Sequence, residues 1–140
     1  MASGSADCVF CKIIAGDIPC HRVFENDHLL AFLDIAPLAR GHTVVIPKAH
    51  AERLDQLDPE VVAEIGRRLG RIGRRVVSAT AADGYNVLQN NGGVAGQVVP
   101  HVHFHIIPRR SDDGLGYRWN AKSAAQDELA ALAARINETA

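Results

Sequence analysis

Residues His101-Val102-His103-Phe104-His105-Ile106-Ile107 put three histidines at alternate positions among large apolar residues. The period-two alternation predicts a half-buried strand, drawn here over Val99 to Ile107. Successive strand side chains point to opposite faces, so the three imidazoles share one face while Val102, Phe104 and Ile106 turn toward a core. Along that face the Cα atoms recur about every 6.5–7 Å. Such a row is chemically loaded. Imidazole has the side-chain pKa nearest neutrality, and it can attack an electrophile, shuttle protons or bind a metal.

The rest of the chain supplies partners for that strand. Cys8 to Ala15 reads as one or two helical turns ended by Gly16. Arg22 to Glu25, His28 to Ile35, His42 to Pro47 and Tyr85 to Gln89 read as four further strands. Asp58-Pro59-Glu60 opens a long helix with a capping residue, a proline at the first helical position and an acid. Val61, Ile65, Leu69, Ile72 and Val76 then repeat at helical spacing, and Asp83-Gly84 is the expected stop. After Pro108, residues 109–140 form a tail and a last helix, opened by Ser123 with Gln126 three positions on and carrying Leu129, Leu132 and Ile136. Strands clustered around one long helix predict an α+β domain with a five-stranded, mainly antiparallel sheet.

At 140 residues the chain suits a single domain, expected over 8–140, with residues 1–7 frayed. A formal net charge of −1 supplies no drive toward nucleic acid or an anionic membrane. No apolar run approaches membrane-span length and no signal region is evident, so a cytoplasmic location is expected. Arg67, Arg68, Arg71, Arg74 and Arg75 read as a solvated helix face rather than an RNA-binding stripe. Gly66, Gly70 and Gly73 form a stripe on the same helix at about 1 kcal/mol each relative to alanine. They imply a close backbone approach, either across a dimer interface or against the chain's own sheet.

The histidine row, with alternating apolar residues, resembles the signature of the histidine triad (HIT) nucleotide hydrolases and transferases, in their Hint-like bacterial branch. The likeness continues through Cys8 to Gly16 with Ile18-Pro19, Leu30 to Ile35, Gly41 to Lys48, and Gly96-Gln97 ahead of the triad. It implies the same α+β fold, commonly as a homodimer. It also implies cleavage at the α-phosphate of an adenosine (purine) nucleotide conjugate, releasing a nucleoside monophosphate such as AMP. His103 is then the nucleophile of a covalent nucleotidyl-histidine, His105 touches phosphate oxygens and His101 completes the triad. The glycine-rich stretch Asn91 to Gln97 suits close approach of backbone N–H groups to phosphate. The resemblance adds Asn90, Gln97 and the Val98 N–H as phosphate contacts, Asp34 for the ribose, and Val9, Phe10, Ile13, Phe32 and Ile35 around the base. One departure stands out: phosphoramidase-type relatives carry serine where this chain has Val98, so the leaving group stays open.

Cys8-x-x-Cys11 has metal-clip spacing, and a closed tetrahedral site needs two more nitrogen or sulfur ligands. His50 and His101 are the candidates, and the resemblance implies a structural zinc. Cys20 reads as a plain thiol. Two rival functions remain at this stage. One is a metal-dependent hydrolase using His101 and His103 as ligands of a catalytic ion. The other is a nucleotide-binding regulator with vestigial activity.

Overall fold

The computed structural model describes residues 6–116 and 121–139. A short helix, α1 (Val9–Ala15), precedes strands β1 (Arg22–Glu25), β2 (Leu29–Leu33) and β3 (Thr43–Pro47). The long helix α2 (Pro59–Thr80), strands β4 (Gly84–Gln89) and β5 (Phe104–Arg109), and helix α3 (Gln126–Glu138) complete the order. The five strands form one sheet in the order β1-β2-β3-β5-β4, every neighbouring pair antiparallel. This is the α+β architecture anticipated from the sequence.

The two faces of the sheet separate the core into parts. Ala31, Val45 and Ile106 pack with Ile72 and Val76 of α2, and Leu29 and Val102 pack with Ile65. On the opposite face, Leu30, Phe32, Val44 and Ile46 pack with Phe10 and Cys8 at α1. Central strands covered on both sides lose the polar half of the alternation, which explains the apolar runs in β2 and β3.

Several boundaries differ from expectation, each for a local reason. The triad strand starts at Phe104, not Val99, and runs on to Arg109. Upstream the backbone bonds elsewhere: the His101 N–H donates to the Val99 carbonyl at 2.8 Å and the Val102 N–H to Ala51 at 2.8 Å. Asp34 and Ile35 lie beyond the end of β2, where the Asp34 carboxylate accepts the Ala36 N–H at 2.8 Å and turns the chain out of the sheet. Helix α2 stops at Thr80 instead of Asp83-Gly84. Its cap is Ala81 in the left-handed region (φ 55°), whose N–H reaches the Val77 carbonyl, and Gly84 opens β4. Helix α3 begins at Gln126 behind Ala125, so Ser123 does not cap it. Of the residues expected to fray, 1–5 lie outside the described residues, and Ala6 and Asp7 form a turn.

The glycine stripe on α2 divides. A Cβ on Gly73 would sit 2.6 Å from the Tyr85 ring of β4, so this glycine admits the chain's own sheet. Gly66 and Gly70 face open space. Gly41 is the more demanding position. Its φ is +90°, and a Cβ there would lie 2.5 Å from Thr80 Cγ2 and 3.3 Å from Val76 and Pro108. We expect Gly41→Ala to lower stability by about 2–3 kcal/mol through backbone strain and overpacking. Urea unfolding would register this as a lower midpoint at unchanged slope.

Candidate active site

All three triad imidazoles lie on the α1 face of the sheet although only His105 sits within β5. The Phe10 ring meets His101 at 5.8 Å and His103 at 5.1 Å, both edge-on, and His103 meets His105 at 4.9 Å. Val102 and Phe104 pack on the α2 side. The alternation from His101 to His105 therefore holds although the chain bends over residues 99–101 and joins the ladder only at Phe104.

Hydrogen bonds assign a tautomer to each ring. The His103 Nδ1 lies 2.7 Å from the His101 carbonyl oxygen, which can only accept, so Nδ1 carries the proton and Nε2 holds a lone pair. Every buried side-chain nitrogen or oxygen among the described residues has a partner. His103 is 6% exposed and, among the described residues, none bonds its Nε2, so that atom is not sealed off from solvent by them. A bare, accessible imidazole nitrogen braced from behind is the form a nucleophile requires.

A fourth histidine, given no role in the sequence reading, completes the arrangement. His42, at the start of β3, accepts the Leu38 N–H on Nδ1 at 3.0 Å, so its proton sits on Nε2. That Nε2–H donates to His105 Nδ1 at 2.9 Å, which leaves His105 with its own proton on Nε2 and aimed away from the pair. The Asp34 carboxylate lies 3.7 Å from the same His42 nitrogen. A histidine directly after Gly41 in an otherwise apolar strand was the available signal, obscured because one isolated histidine in a strand is unremarkable.

Burial pushes the His105 imidazole down to about 4, reinforced by His103 and His42 and opposed by Asp34. Burial also lowers His42, again opposed by Asp34. Both rings are thus neutral when folded and protonate more readily when unfolded, near 6.5. The unfolded chain binds the extra protons between about pH 6.5 and 4, so their contribution to stability is complete above that window and lost as pH falls through it. We expect the melting temperature to fall on acidification across this range, with a shallower slope in His105→Asn. Equal slopes in the two proteins would contradict it.

The turn before the triad is built for close approach. Gly92 and Gly96 have φ of +94° and +95°, a conformation that favours glycine. Gln97 braces the loop from inside: its Oε1 accepts the Gly92 N–H at 2.7 Å and its Nε2 donates to the Glu52 and Val99 carbonyls at 2.7 and 3.0 Å. Val98 is 89% exposed, and among the described residues no acceptor meets its N–H. Asn90 donates to the Gly96 carbonyl at 3.4 Å. Of the apolar residues expected around a base, Phe10 and Phe32 are buried edge-to-face at 5.8 Å, and Ile13 packs beside them. Val9 lies at the surface and Ile35 is 91% exposed, an unpaired apolar side chain next to Asp34.

Behind the row, the Sγ atoms of Cys8 and Cys11 and ring nitrogens of His50 and His101 converge within 4.8 Å of one another. His101 is fully buried, and its Nε2 donates to the Pro47 carbonyl at 2.9 Å, so Nδ1 turns a lone pair into the cluster. From that nitrogen, Cys8, Cys11 and His50 stand at 3.5, 3.6 and 3.0 Å, and Cys11 lies 3.3 Å from His50. A tetrahedral zinc with bonds of about 2.0–2.3 Å needs ligand–ligand edges of roughly 3.3–3.8 Å. These four edges lie within a few tenths of an ångström of that range and the remaining two are below 4.8 Å, so the donor set suits such an ion. His103 is not among these donors: its Nδ1 meets the His101 carbonyl, while the His101 ring turns into the cluster.

Imidazoles of assigned tautomer on a sheet face, with a glycine-rich turn running into them, define a histidine-based site for transfer chemistry on phosphate. The chain belongs to the histidine triad family, whose HIT domain model matches residues 15–112. It is 46% identical over 131 residues to adenosine 5'-monophosphoramidase hnt1 of Schizosaccharomyces pombe, spanning 93% of this chain and 96% of that one. A crystal structure from Streptococcus mutans superposes with a TM-score of 0.94 at 40% identity, covering 99% of this chain and 88% of the other. A Zn-bound histidine triad family protein from Mycobacterium smegmatis gives 0.76 at 39% identity, covering 98% and 100%.

Proposed function

We propose that the protein is a hydrolase of adenosine nucleotide conjugates that works through a nucleotidyl-His103 intermediate. The observation that carries this is the pairing of a proton held on His103 Nδ1 with a bare, accessible Nε2. In the first step the Nε2 lone pair forms a bond to the α-phosphorus and the bond from phosphorus to the leaving group breaks. The leaving group departs with that electron pair and takes up a proton. The ring becomes positive, and the His101 carbonyl stabilises it through Nδ1–H. In the second step water attacks phosphorus, the N–P bond returns its pair to Nε2, and AMP leaves as the water proton is lost. His105, with Nε2–H as its free donor, binds a phosphate oxygen beside the Val98 N–H. Gln97 and Asn90 shape the loop around it. Asp34 receives the ribose, and Val9, Phe10, Ile13, Phe32 and Ile35 form the base slot.

A rapid-quench mass measurement with adenosine phosphoramidate, AMP-lysine and a dinucleoside polyphosphate tests this directly. The reading expects transient addition of one adenylyl group on His103 with at least one of the three, and the relative rates name the leaving group. No adduct with any of them, under turnover, would overturn it. The relative named an adenosine 5'-monophosphoramidase favours an amine leaving group, and Val98 in place of serine favours another.

The metal is zinc and its role is structural, because two thiolates and two imidazoles leave no open position for a substrate. Cys8, Cys11, His50 and His101 hold it. Such thiol ligands suit the reducing conditions of a cytoplasm. The working form is a homodimer. Support comes from the open faces of Gly66 and Gly70, the exposed Tyr85, Val87 and Leu88 on edge strand β4, and the unpartnered Leu129, Leu132 and Ile136 of α3. We expect Gly70→Leu to shift the light-scattering mass from dimer to monomer; an unchanged mass speaks against this face.

A further inference from the structure

Phe10 lies between the two cysteines of the metal clip, and its ring reaches the nucleophile. Cys8 caps α1 and its Sγ accepts the Cys11 N–H at 3.4 Å, so one turn of chain carries both sulfurs and this ring. The Phe10 edge contact with His103 is 5.1 Å between centroids, at 78°. The second brace on His103, the carbonyl 2.7 Å from its Nδ1, belongs to His101, whose side chain is the buried member of the same cluster. Of these two contacts on the reacting ring, one thus comes from a member of the cluster and the other from a residue flanked by its two cysteines.

The same stretch of backbone is also held by the buried Val102 side chain, packed with Leu29 and Ile65, and by Gln97, whose Nε2 donates to the Val99 carbonyl. Residues before Phe104 stand outside the sheet ladder. Their main-chain tie to a neighbouring segment is the Val102 N–H bond to Ala51, and Ala51 directly follows the ligand His50. The His101 carbonyl shares its peptide plane with that Val102 N–H, so it is placed by the bond to Ala51, next to a cluster residue, and by the His101 ring, anchored at Pro47 on one nitrogen and at the cluster on the other.

We infer that the Cys8, Cys11, His50 and His101 cluster, with its ion bound, positions the nucleophile, so that metal occupancy sets the rate of attack on phosphorus as well as the stability of the fold. The inference builds on the proposed role of His103. His101 and Phe10 act here as positioning residues: the former fixes the tautomer through its carbonyl, the latter fixes the tilt of the ring. A misplacement on the order of 1 Å at the reacting atom costs about 100-fold in rate, so loosening one end of this brace is enough to register.

The test compares zinc-loaded and chelator-depleted protein, both well below their melting temperatures. With ¹⁵N-labelled histidine, the loaded protein should show His103 as a single tautomer, protonated on Nδ1. The depleted protein should show averaging between tautomers. Nucleotidylation of His103 in a single turnover should slow by about 30-fold on depletion, while AMP affinity changes less than about threefold. His50→Gln should behave like the depleted protein and recover as zinc is raised. If depletion unfolds the chain, zinc- and cadmium-loaded proteins are compared instead: the larger ion widens the cluster, so slower attack at equal fold is expected. An unchanged tautomer and rate in folded, metal-free protein, or equal rates with the two ions, would overturn the inference. Absence of any adduct in loaded wild type would strike the proposed chemistry, and the tautomer measurement would still decide the positioning role.

Discussion

His103→Ala is expected to lower turnover of an adenylyl substrate by at least about 10⁴-fold, since a covalent nucleophile has no substitute in a site organised around it. The other groups keep their positions: His42 still directs its proton to His105, and Gln97 still braces the loop through Gly92, Glu52 and Val99. AMP affinity should therefore change far less than the rate, by less than about tenfold. Truncation also leaves a small cavity against Phe10, so a modest fall in melting temperature accompanies the loss. The decisive comparison is kcat against binding affinity in folded variant protein. A variant that keeps a substantial fraction of wild-type turnover would point to a water-based mechanism and remove His103 from the centre of the chemistry. Should His103→Ala lose turnover while supporting cellular function in full, a regulatory role would take precedence.

Removing the metal should be the most damaging single change to stability. At saturating zinc the ion contributes on the order of 4 kcal/mol, so chelation should lower the melting temperature by roughly 10–15 °C. The direction follows from what the ion joins. Cys8 and Cys11 lie in or next to a seven-residue helix, and a helix of that length has little stability alone. His50 follows β3 and His101 precedes β5. An ion held there would link three separate segments, two of them buried at Cys8 and His101. Cys8→Ser should reproduce the chelated state and no longer respond to zinc, whereas Cys20→Ser, outside the cluster, should stay close to wild type. Identical melting curves with and without zinc would exclude a structural ion at these residues.

The histidine row shows where sequence information is strong. Alternation through Val102, Phe104 and Ile106 was enough to assign one face to three imidazoles, because side-chain direction in extended chain is set locally. That relation survived even though β5 begins five residues later than the pattern suggested. Helix α2 was equally legible, since Asp58, Pro59 and the apolar repeat are local signals; its end was not. There Ala81 adopts the left-handed turn, and Gly84 serves the strand.

By itself, the sequence determined the fold class, the shared face of His101, His103 and His105, and the cysteine spacing, all properties of residues near one another along the chain. Only the tertiary structure decided which nitrogen of each ring bears a proton. Those protons are assigned by Pro47 for His101, by the His101 carbonyl for His103, and by Leu38 through His42 for His105. Three of these four partners lie on β3 or in the loop leading into it, far from the triad in sequence, and a hydrogen bond across that distance exists only once the sheet has brought the strands side by side.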